Sequence, residues 1–135
     1  MVGLLLVAHG KLGDSLIECA AYVHGHVPKG LLSLDLTGYP STEAMQVAAR
    51  ERIAALDSGS GVLVLTDIYG ATPSNTVCKL LGERAVEVVA GVNLPMLLKA
   101  LNYQDEPLQT LAKRVAEGGL AGIFQVNRCN CDADA

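Results

Sequence analysis

Tryptophan is absent and phenylalanine occurs once. The interior must therefore be aliphatic, which suits strands covered by helices. No block of Lys or Arg is present, and the formal net charge is −4. This balance argues against nucleic acid or an anionic membrane surface as partner. No apolar run approaches the roughly 20 residues that cross a bilayer. The start shows neither a basic n-region nor a small-residue cleavage site, so no signal peptide is expected and the location is taken as cytoplasmic. Internal repeats and linker-like segments are lacking. The four cysteines do not make a disulfide framework. Cys19 and Cys78 fall in helical patterns and read as small buried apolar residues. Cys129 and Cys131 sit in the tail NRCNCDADA, where no histidine follows to complete a metal set.

What is present is a chain of 135 residues, half of them apolar, enough for one domain with a substantial core. Apolar runs at 2–8, 31–36, 61–66 and 85–90 read as strands. Helical patterns lie between them. The first starts near Asp14, with Leu16, Cys19, Ala20 and Val23 on one face. The second opens at Ser41 or Thr42 and runs to about Leu56, and a third opens at Thr72-Pro73 and ends at Gly82. A short helix covers 94–102, its Met96, Leu97 and Leu98 explained by core packing. A last one begins at Pro107 with Leu108, Leu111, Ala112 and Val115 on one face and ends at Gly118-Gly119. A final strand is expected over 120–126. The domain then spans 1–126, and 127–135 is expected to be a disordered tail. Alternating strands and helices predict an α/β sandwich with a mainly parallel, flavodoxin-like sheet of order 2-1-3-4. The final strand would add an edge, antiparallel or not.

In that order, the strands ending at His9 and Asp67 are neighbours at the point where the order reverses, where ligands of open α/β sheets gather. Each residue alone has a bland reading: a polar group tying down a loop, or a turn former. Together they suit a histidine that handles a proton or a phosphoryl group. A carboxylate taking the N–H of one ring nitrogen fixes the tautomer and leaves the other nitrogen to attack. The turn after Asp67 adds Gly70, free to take unusual backbone angles, then Thr72 and Pro73 as helix starters. A helix N-terminus there would offer N–H groups to phosphate.

Three segments, VAHG (7–10), TDIYGATPSN (66–75) and AGVNLPML (90–97), make the chain similar to the mannose-family IIA domain of the bacterial sugar phosphotransferase system. The resemblance covers about 1–126. It implies that His9 accepts a phosphoryl group from the phosphorylated histidine carrier protein and passes it to a IIB partner, in sugar uptake or regulation. Asp67 would be the orienting aspartate. Gly10, Thr66, Gly70, Ala71 and Thr72 would surround the phosphoryl group. No cofactor or metal is implied. Dimers of the family exchange an edge strand, for which 120–126 is the candidate. Where relatives often carry Trp in the turn, Tyr69 stands here, at a position expected to touch the docking partner. Relatives often continue through an Ala/Pro-rich linker into a IIB domain; this sequence reads as a stand-alone IIA.

Other chemistries fit less well. A receiver domain phosphorylated on Asp67 would need an acidic pair at the end of the first strand to hold magnesium, whereas that end reads VAHGKLGD with only Asp14, a helix-cap candidate. GDSL (13–16) spells an esterase motif without the C-terminal histidine base such a site needs. His24 and His26 lack an evident third metal ligand and read as surface loop. A phosphate-binding regulatory module without transfer is the remaining alternative.

Overall fold

The computed structural model of the chain describes residues 1–68, 78–81 and 85–127. The described elements run in the order β1 (Gly3–Ala8), α1 (Leu12–His24), β2 (Leu31–Asp35), α2 (Thr42–Leu56), β3 (Val62–Thr66), β4 (Val86–Ala90), α3 (Leu94–Asn102) and α4 (Leu108–Ala121). All strand pairs are parallel, in the order β2-β1-β3-β4, as the sequence predicts. The helical segment expected over 72–82 falls largely outside the described residues.

β1 is central and buried along its whole length, which explains its lack of polar alternation. Its side chains still alternate between layers. Leu4 and Leu6 join Leu63, Leu65, Met96, Leu97, Leu111 and Val115 on one face. Leu5 and Val7 join Leu34, Val62, Val64 and Ile53 on the other. Helices α1, α3 and α4 thus cover the first face and α2 the second. Ser41 caps α2, its Oγ accepting from the Ala44 N–H at 3.1 Å.

The segment 90–97 builds the exit from β4 and the start of α3. Gly91 takes a left-handed φ of 83°. Asn93 Oδ1 then accepts from the Met96 N–H at 2.9 Å, and its Nδ2 donates to the Gly119 carbonyl at 3.2 Å. One side chain therefore caps α3 and ties it to the end of α4.

Three expectations need correction. The buried stripe of α1 is Gly13, Leu16, Ile17 and Ala20, so Cys19 and Val23 face solvent. Two overlapping i, i+3, i+4, i+7 stripes exist in this helix. The one carrying Gly13 wins because α1 approaches β2 closely there: a Cβ on Gly13 would lie 3.1 Å from Ser33 Cβ. Cys78 is only partly buried. Second, α1 begins at Leu12 after Lys11, and Asp14 sits in its first turn rather than capping it, accepting a hydrogen bond from Ser33 Oγ. Third, 120–126 forms no strand within the chain. α4 continues to Ala121, where the Gly122 N–H donates to the carbonyls of Gly118 and Gly119. Gly119 meets Met96 and Gly122 meets Pro95, so packing on α3 extends the helix past the glycines that the sequence reads as its end. Ile123, Phe124 and Val126 are left exposed.

Gly3 opens β1 against the end of α2, where a Cβ would lie 2.8 Å from the Leu56 carbonyl oxygen and 2.7 Å from Leu56 Cβ. Because backbone is in the way, Gly3→Ala is expected to destabilise the fold by about 1–3 kcal/mol. Urea unfolding measures this; an unchanged midpoint would contradict the close approach.

Candidate functional site

Parallel pairing sets Val7 beside Thr66 and Ala8 beside Asp35. His9 therefore leaves β1 one residue beyond the last rungs, flanked by the ends of β2 and β3. His9 Nδ1 lies 2.9 Å from Asp67 Oδ2. The same Oδ2 accepts the His9 backbone N–H at 3.1 Å, and Oδ1 accepts the Ile68 N–H at 2.9 Å. Burial works against the Asp67 charge. Even so, hydrogen bonds from the His9 N–H, the His9 ring and the Ile68 N–H, with the His9 charge, hold its carboxyl below the ordinary aspartate value. An ionised carboxylate can only accept, so Nδ1 must carry a proton. In a neutral ring the lone pair then belongs to Nε2, which has no hydrogen-bond partner among the described residues. The ring is 46% exposed whereas Asp67 is 10% exposed. The arrangement offers solvent a nucleophilic nitrogen backed by a fixed carboxylate. With both oxygens engaged, Asp67 itself is poorly disposed to act as a receiver's nucleophile.

The other expected site residues fall as follows. Gly10 adjoins His9 with a left-handed φ of 59°, and among the described residues nothing lies within 4 Å of where a Cβ would stand. Thr66 is fully buried, its Oγ1 without a partner among the described residues. By strand alternation it shares the α2 face with Val62 and Val64. Its carbonyl accepts from the Val92 N–H at 3.0 Å, joining β3 to the turn before α3. Tyr69, Gly70, Ala71 and Thr72 lie outside the described residues, as do Cys129 and Cys131. The His26 Nδ1 lies 3.2 Å from the His24 carbonyl oxygen in the turn after α1, and no group of three His, Cys, Asp or Glu suited to a metal occurs among the described residues.

Sequence reasoning missed Asp35. At the end of β2, its Oδ1 accepts from the Gly10 N–H at 3.1 Å, the Thr37 N–H at 2.9 Å and the Thr37 hydroxyl at 2.7 Å. The two Thr37 bonds, against a smaller desolvation penalty and aided by Gly10 and the His9 charge, hold its carboxyl below the ordinary value. The available signal was an Asp two residues before a Thr, an Asx-turn pattern, on the strand beside β1.

Depressed carboxyl values stabilise the fold above the unfolded-state value, and that stability is lost as pH falls through the folded-state values. The ordinary value is 3.8 for Asp67. Urea midpoints of the wild type should therefore fall from about pH 5 downward more steeply than those of Asp67→Asn. Parallel curves would contradict the bond network described.

Residues 3–116 match the family described as "PTS system fructose IIA component". The sorbose-specific EIIA component of the PTS from Lacticaseibacillus casei is 31% identical over 116 residues, covering 83% of this chain and 81% of that protein. The mannose-specific EIIAB component of Escherichia coli (strain K12) is 26% identical over 125 residues, 90% of this chain; the chain spans 38% of that longer protein. In three dimensions the chain is similar to the phosphotransferase system component EIIA from Streptococcus agalactiae. The TM-score is 0.82 at 25% identity, with 93% of this chain and 97% of that one covered. By sequence match and by fold, the chain belongs to the EIIA-man family of sugar phosphotransferase system IIA components.

Proposed function

We propose that the protein is a phosphohistidine carrier in which His9 Nε2 takes a phosphoryl group from the phosphorylated histidine carrier protein and gives it to a IIB partner. The observation that carries this reading is the 2.9 Å contact between His9 Nδ1 and Asp67, which directs the lone pair to Nε2. In the forward step the Nε2 pair attacks phosphorus. The bond from phosphorus to the donor imidazole breaks, and its electron pair returns to the donor ring. The Nδ1 proton stays between His9 and Asp67, whose negative charge supports the cationic character of the phosphorylated ring. Transfer onward reverses these events, and neither direction needs a cofactor.

Docking of another protein suits the surroundings. Leu12, three residues after His9, and Ile68, next to Asp67, are 42% and 58% exposed. Tyr69 would extend that face. Gly10, Thr66, Gly70, Ala71 and Thr72 are proposed to surround the phosphoryl group, the last three, in the segment after Asp67, through backbone N–H groups. The working compartment is the cytoplasm; among the described residues no helix is long and apolar enough to cross a membrane. The role is in sugar uptake, or in reporting phosphorylation state to a regulator. The protein is proposed to act as a homodimer in which 120–126 of each chain pairs with its partner, covering Ile123, Phe124 and Val126.

Incubation with phosphoenolpyruvate and the two general phosphotransfer proteins should add a single phosphoryl group by intact mass, stable in base and lost in acid. His9→Ala should take none. Asp67→Asn should stay folded and react roughly 10- to 100-fold more slowly. A base-labile adduct would instead mark Asp67 as the acceptor, and no adduct would leave a phosphate-binding module without transfer.

The dimer is checked by light scattering, which should give twice the chain mass for the wild type and the monomer mass for Phe124→Asp. A monomeric wild type would overturn the exchange.

A further inference from the structure

Beyond the His9–Asp67 pair, we propose that Asp35 is a positioning residue for phosphoryl transfer, holding the Gly10 N–H so that the His9 ring keeps its Nδ1 edge on Asp67. The inference rests on the phosphocarrier reading for its kinetic consequence, though not for its structural one.

The backbone explains why such a group is needed. Successive N–H groups of a central parallel strand point alternately to its two neighbours. Beyond the last rungs of β1, the N–H of His9 would turn toward β3 and that of Gly10 toward β2. Both are taken by carboxylates: Asp67 Oδ2 at 3.1 Å from the first and Asp35 Oδ1 at 3.1 Å from the second. The sheet is in effect extended by one side-chain rung on each side of the reactive histidine. Gly10 needs the restraint, because a glycine at φ 59° has no side chain of its own to pack and hold its torsions.

Asp35 is itself held. Thr37 supplies two donors to the same Oδ1, so the acceptor aimed at Gly10 is fixed from its own side. A simple turn former would be satisfied by Thr37 alone; the bond to Gly10 reaches a residue 25 positions away and adds nothing to that turn.

Three variants separate the roles. Asp35→Asn keeps an Oδ1 acceptor. Asp35→Ala removes it. Asp35→Ser keeps a local turn to Thr37 but is too short to reach Gly10, which guards against loss of fold in the alanine variant. Two readouts apply: the single-turnover rate of phosphorylation at saturating donor, and the 15N NMR signature of the His9 tautomer in the unphosphorylated protein. The alanine and serine variants should react about tenfold more slowly with unchanged half-saturating donor concentration. Their His9 should show both tautomers, while Asp35→Asn stays within about twofold of the wild type and keeps the Nδ1–H form. A serine variant matching the wild type in both readouts would reduce Asp35 to a turn former, and an asparagine variant as slow as alanine would assign the effect to charge. The tautomer needs no phosphoryl donor. A wild type that accepts no phosphoryl group, with scrambled tautomers in Asp35→Ser, would therefore sink the phosphocarrier reading and leave the positioning role standing.

Discussion

One carboxylate oxygen governs this site. Asp67 Oδ2 accepts both the backbone N–H and the ring nitrogen of His9, fixing where the residue sits and which nitrogen carries the proton. A strand end is normally where backbone order is lost, since the next N–H has no carbonyl opposite. Here the missing carbonyl is replaced by a side chain from the neighbouring strand, which remains ionised because three donors outweigh its desolvation. The His9 ring is thus tied to the sheet while staying exposed.

This depends on the strand order. β1 lies between β2 and β3, with aliphatic layers on both faces that fix its register to both neighbours. Sliding either neighbour by one residue would turn its apolar side chains to the wrong layer and move Asp35 or Asp67 away from the histidine. Core packing and site geometry are therefore one constraint. The family resemblance also divides along this line. In the segment 90–97, Gly91 and Asn93 form a turn and a helix cap joined to α4, so that stretch of similarity reflects architecture. The chemistry is proposed for His9 and Asp67.

Much of this was legible in the sequence. Four mainly aliphatic runs separated by helical patterns predict a parallel sheet, and a His and an Asp directly after two of them are visible without coordinates. Asp35 was hidden because it lies inside the run LLSLDL, read only as a strand; the topology shows that the end of this strand lies beside Gly10. The face of α1 was misread because two stripes overlap, and close approach at Gly13, a tertiary effect, chooses between them. The segment 120–126 has strand composition, but packing of Gly119 and Gly122 on α3 keeps its first two residues in helix α4.

The central claim is that Asp67 reserves Nδ1 for the proton and leaves Nε2 to react. The most direct measurement is 31P–15N NMR of the phosphorylated, 15N-labelled protein, in which phosphorus coupled to His9 Nε2, with Nδ1 still protonated, is the expected result. Phosphorus on Nδ1, or on a carboxylate, would contradict it.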